Sequence, residues 1–108
     1  MEASTFIELV LTCGSRQEAQ KIADALLEKH LIACAEFIEI KSKYWWEQKL
    51  RESKEVKLVM QSRAENFAKV EAEVKELHSY GVPALRAIPL TQITDDAAKW
   101  LQEMTNND

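Results

Sequence analysis

Glycine and proline are scarce: the 108 residues contain only Gly14, Gly81, Pro83 and Pro89. That excludes collagen-like and linker-rich designs. Neither GxGxxG nor GxxxxGK[ST] can be assembled, so the common phosphate cradles are excluded too. There is no basic excess: 14 Lys and Arg stand against 18 Asp and Glu, a formal net charge of −4. Nucleic acid is not an expected partner, because phosphate binding needs a concentrated basic face. No apolar run approaches the ~18–20 residues of a membrane span. The segment Met1 to Thr5 lacks the basic and apolar regions of a signal peptide, so the cytoplasm is the expected compartment. Cys13 and Cys34 are then expected to be thiols, and they form neither a CxxC motif nor a structural zinc set.

Hydrophobic residues make up 46% of the chain and charged residues 30%, proportions of a folded globule. The length suits one domain over 1–108, with a polar tail expected to fray from about residue 105. Thr5 to Cys13 alternates, with Ile7, Leu9, Leu11 and Cys13 on one face of a strand. Ser15 and Glu18 read as a capping box opening a helix to about His30, with Ala19, Ile22, Ala23 and Leu26 on one side. Leu31 to Trp46 reads as a long strand, and Glu47 to Leu50 as its connection to another strand over 53–61. In that strand Val56, Leu58 and Met60 point inward and Glu55, Lys57 and Gln61 outward. Ser62 and Glu65 suggest a second capping box before a helix with Phe67, Val70, Val74 and Leu77 in line. Residues 78–83 form a loop, and 84–92 a fourth strand placed at a sheet edge by Pro89. Thr94, Asp95 and Asp96 open a last helix. The order β-α-β-β-α-β with an extra C-terminal helix predicts an α+β, ferredoxin-like fold with an antiparallel sheet and a long central hairpin.

The far end of that hairpin carries Tyr44, Trp45 and Trp46. Each ring can bury ~150–250 Å², and an apolar overhang left open invites aggregation. The expectation is that another copy of the chain covers them at an interface between protomers.

Leu27 to Cys34 resembles the LLEKRLAAC signature of the CutA family of divalent-cation tolerance proteins. Tyr44-Trp45-Trp46-Glu47-Gln48-Lys49-Leu50 is similar to its YWWEGKI hairpin, and His78-Ser79-Tyr80-Gly81-Val82-Pro83 to its HPYEVP loop. The resemblance runs in order from about residue 6 to 102. It implies a non-enzymatic homotrimer of ferredoxin-like protomers, linked to metal tolerance and associated with copper. It further implies a metal site containing the first-strand cysteine and the loop histidine, here Cys13 and His78. The chain departs from the family where the glutamate after the loop proline is Ala84 and where the hairpin glycine is Gln48.

Each candidate has an ordinary role beside the functional one. Cys13 can be a small core hydrophobe or a thiolate ligand for copper. His78 can meet a helix C-terminus or ligate a metal. Cys34 and His30 read as packing and surface residues. Cys13 and His78 alone make an incomplete site, so a further donor is needed from a neighbouring chain, water, Glu8 or Glu36. Loss of the acid at Ala84 predicts weaker Cu(II) binding than an intact HPYEVPE loop gives. A rival reading is a trimeric sensor similar to PII-type proteins, with a small molecule or anion between protomers held by Lys49, Arg51 and Arg86.

Overall fold

The computed structural model describes residues 5–106. Strand β1 (Phe6–Cys13) leads into helix α1 (Arg16–Glu28), then β2 (Cys34–Trp46) and β3 (Lys49–Arg63). A 3₁₀ turn (Ala64–Asn66) precedes α2 (Phe67–Leu77), followed by β4 (Leu85–Pro89) and α3 (Asp95–Met104). All strand pairs are antiparallel, in the order β2-β3-β1-β4. This is the ferredoxin-like arrangement with an added helix, as the alternation and capping signals predict.

The core forms where the apolar face of the sheet meets α1 and α2. Ile7, Leu9, Leu11 and Cys13 of β1 pack with Val56, Leu58 and Met60 of β3. Ala19, Ile22, Ala23 and Leu26 close it from α1, and Val70 and Val74 from α2. Full burial of the Leu, Ile, Val and Met side chains among these contributes roughly 1.5–3 kcal/mol each. Pro89 ends β4, an edge strand where its missing N–H leaves no gap in an inner ladder.

The hairpin is longer than expected. Pairing runs unbroken from Cys34↔Gln61 to Trp46↔Lys49, and the described chain measures 49 × 25 × 21 Å. Only Glu47 and Gln48 form the turn, both with positive φ, 52° and 64°. Two left-handed residues give the turn the twist its strands need.

Three local expectations are corrected. Ser62 and Glu65 do not form a capping box: Ser62 Oγ donates to the Leu31 carbonyl and accepts from Asn66 Nδ2. Glu65 instead pairs with Arg63, at 3.2 Å. Thr105 is not frayed but buried, because Arg63 Nε donates to its Oγ1 and Arg63 Nη2 to its carbonyl. The tail's last two residues, 107–108, and the start of the chain, 1–4, lie outside the described residues. Glu55, read as outward, is only 7% exposed. It does leave the helix-packed face of the sheet, but the loop after α2 covers it.

Candidate functional site

Three chain segments meet where β1 ends. Cys13 is the last residue of β1 and is fully buried. The chain turns at Gly14, and Ser15 caps α1 by accepting the Glu18 N–H at 3.1 Å. Glu18 reaches back as a capping box requires, but to the Gly14 N–H (3.0 Å) and not to that of Ser15. Its other oxygen accepts the Ser79 N–H at 2.9 Å, which ties the loop after α2 to the start of α1. His78 follows the last residue of α2 and buries its side chain completely.

The hydrogen bonds of His78 define its proton state. Nε2 lies 2.9 Å from the Thr12 carbonyl, which can only accept. Nδ1 lies 3.1 Å from the Tyr80 N–H, which can only donate. The ring is therefore neutral, with its proton on Nε2. Nδ1 is also 3.8 Å from Glu18 Oε1, a contact that becomes an ion pair only if the ring takes a second proton and gives up Tyr80. The Tyr80 ring meets that of His78 edge-on at 4.7 Å and lies against Gly14. A Cβ on Gly14 would come within 3.2 Å of it, so the close approach favours glycine there.

The cluster's charge state follows from burial. Desolvation, with smaller contributions from Glu18 and Glu55, pushes the Cys13 thiol up to about 12. It is a protonated thiol at neutral pH. Burial also works against the Glu18 carboxylate, but hydrogen bonds from Ser79 and Gly14 outweigh it and hold its pKa below the ordinary value. Cys34, half-buried on β2, has its pKa raised by burial and by Glu36.

One ligand atom each from Cys13, Glu18 and His78 lie within 4.8 Å of one another. The structure thus brings Cys13 and His78 together and adds Glu18, which sequence reading treated as a cap only. Glu8 and Glu36 are not near. Glu8 sits five residues back along β1, ~17 Å away at the usual rise, and on the opposite face. Glu36 pairs with Val59, far from the end of β1. Ala84 also lies elsewhere: with Thr12, Glu55 and Tyr80 it lines a cavity on the other side of the sheet. Tyr44, Trp45 and Trp46 do not form one patch. Alternation puts Tyr44 and Trp46 in that cavity, while Trp45 faces the other way beside its pairing partner Leu50. Trp45 and Leu50 are 72% and 64% exposed.

A four-stranded antiparallel sheet with two helices on one face, a long projecting hairpin and a cysteine, a carboxylate and a histidine at the end of β1 define a small ferredoxin-like protein with a candidate cation cluster. Residues 7–104 match the family model of the CutA1 divalent ion tolerance protein, and the chain belongs to that family. The divalent-cation tolerance protein CutA of Archaeoglobus fulgidus is 40% identical over 95 residues, covering 88% of this chain and 93% of that protein. Its counterpart in Pyrococcus horikoshii is 39% identical over 89 residues, covering 82% and 87%. Among solved structures, the A. fulgidus protein, described as periplasmic, superposes with a TM-score of 0.92 at 38% identity, covering 94% of this chain and 99% of that one. CutA1 from Oryza sativa reaches 0.93 at 25% identity, covering 97% of both chains. Among the described residues no helix is long and apolar enough to cross a membrane.

Proposed function

We propose that the protein is a non-enzymatic metal-responsive protein that takes up a divalent cation, copper above all, at Cys13, Glu18 and His78. The observation that carries this is the convergence of sulfur, oxygen and nitrogen donors within 4.8 Å at the end of β1. A thiolate and an imidazole suit copper and zinc, and a carboxylate adds a charged oxygen. The donors are not idle without the ion, so binding has costs. Cys13 must lose its proton, which the cation's charge would favour. His78 Nδ1 must release the Tyr80 N–H, so the loop after α2 shifts with binding. Because Glu18 supplies a carboxylate, the loss of an acid at Ala84 does not by itself predict weak Cu(II) binding. Equilibrium dialysis against Cu(II) and Zn(II) tests the assignment. The wild-type chain should retain one ion per protomer, and Cys13→Ser and His78→Ala should retain less.

We further propose a homotrimer in which the β2-β3 hairpin lies against a second copy, Trp45 and Leu50 being the exposed apolar pair that needs covering. Two free thiols favour a cytoplasmic location. The rival anion sensor finds less support within the protomer. Arg51 is paired with Glu47, and Arg86 sits opposite Val10 on β1, ~33 Å along the ladder from Lys49.

A further inference from the structure

The Cys13 cluster is sealed. Cys13 is fully buried, the His78 side chain is 0% exposed and that of Glu18 only 14%. A cation reaches these donors only if some part of the chain moves, and the groups that occupy the donors show which part. Two successive amides of the loop after α2 do so. Glu18 Oε2 accepts the Ser79 N–H at 2.9 Å, and His78 Nδ1 accepts the Tyr80 N–H at 3.1 Å. The stretch of loop that closes the cluster thus caps two of its three ligand groups.

Tyr80 fixes that stretch by its side chain as well. Its ring meets the His78 ring edge-on, with centroids 4.7 Å apart, and lies 3.2 Å from where a Cβ on Gly14 would sit. Its hydroxyl donates to Glu55 Oε2 across 2.5 Å. Glu55 is buried, and among the described residues this is the one hydrogen bond its carboxylate receives. Leaving a buried carboxylate unsatisfied is costly, so the bond resists breaking. Tyr80 is therefore pinned at three points: its main-chain N–H, its ring and its hydroxyl. Freeing His78 Nδ1 means moving a residue that is anchored at the far end of its ring.

We propose that Tyr80 is the latch of the Cys13 cluster: while it is fastened the loop covers the donors, and a cation enters only when it lets go. The proposal rests on the cation reading of this cluster and adds what governs uptake there. His78 Nδ1 has one lone pair, and it cannot bind an ion while it accepts the Tyr80 N–H, so the closed form is not the binding form. When the binding form is a small fraction of the molecules, the apparent affinity is reduced by that fraction. A change that unfastens the latch then strengthens binding and speeds entry. That sign separates a latch from a ligand or a merely structural residue, whose loss weakens binding. Tyr80 is a positioning residue, acting through His78 without touching the ion.

Tyr80→Phe removes only the hydroxyl and keeps the ring and the main-chain N–H. In the full chain it should bind Zn(II) about tenfold tighter than the wild type, measured by competition with a chromophoric chelator. Stopped-flow mixing should show uptake about tenfold faster. Glu55→Gln weakens the same bond, should act in the same direction, and serves if Tyr80→Phe does not fold. Residue-resolved hydrogen exchange of the metal-free chain should show the Ser79 and Tyr80 amides exchanging about tenfold faster in either variant. That arm needs no cation, so it separates the two ideas. Faster exchange in a chain that takes up no Zn(II) would support the latch and overturn the cation reading. Zn(II) uptake that Cys13→Ser abolishes, with affinity, rate and exchange unchanged or lowered in the folded latch variants, would overturn the latch and leave the cation reading standing.

Discussion

His78 donates from Nε2 to the main-chain carbonyl of Thr12 across 2.9 Å, and this bond sets the chemistry at the end of β1. It leaves the Nδ1 lone pair of a neutral ring to accept the Tyr80 N–H. The loop after α2 is thereby joined to β1 and, through Ser79 and Glu18, to the first turn of α1. Replacement His78→Ala removes a donor and an acceptor from a buried position. It should cost about 1–3 kcal/mol of unfolding free energy, read as a lower urea midpoint at unchanged slope.

Acid should loosen the same junction. The Glu18 pKa is held below its ordinary value in the folded chain. A group with a depressed folded pKa stabilises above its unfolded pKa, and that contribution fades as pH falls through the folded value. Stability should therefore decline below about pH 4.5, the ordinary value for the group. Glu18→Gln should be less stable at neutral pH and show a shallower acid limb, measured by urea titrations from neutral to acid pH.

Assembly should depend on Trp45 more than on its neighbours. Trp45 is 72% exposed in the protomer, whereas Tyr44 and Trp46 have a cavity to line. Trp45→Ala should weaken association by about 1–3 kcal/mol, as loss of an aromatic anchor does. Light scattering should give three times the chain mass for the wild type and a concentration-dependent smaller mass for the variant. Its melting temperature should then rise with protein concentration.

The hairpin turn carries a correctable strain. Gln48 holds φ at 64°, where a Cβ is disfavoured. Gln48→Gly should stabilise the chain by about 0.5–1 kcal/mol, read from chemical denaturation, since relief of that strain exceeds the added freedom of the unfolded glycine.

Much of the fold was legible because its signals are local. The alternation of Ile7, Leu9, Leu11 and Cys13, and of Val56, Leu58 and Met60, reports a face directly. The same alternation separates Trp45 from Tyr44 and Trp46, although three adjacent rings read at first as one patch. Alternation names a face but not what covers it, which is why Glu55 looked outward and is buried under Tyr80. The site was legible only in part. Cys13 and His78 came from a family resemblance. Glu18 showed itself as a cap, and its nearness to them depends on how the loop after α2 returns to β1, which no spacing along the chain encodes. The pattern at Ser62 and Glu65 satisfied a capping rule, but Leu31 and Asn66 took the Ser62 hydroxyl instead.

Calorimetric titration of Zn(II) at pH 7 in two buffers of different ionisation enthalpy tests cation uptake at this cluster most directly. Burial and the neighbouring carboxylates keep Cys13 protonated, with its pKa raised to about 12, so ligation must expel that proton. The predicted result is one ion per protomer with about one proton released, a release that disappears in Cys13→Ser. Binding without proton release, or the same release and affinity in Cys13→Ser, would contradict it.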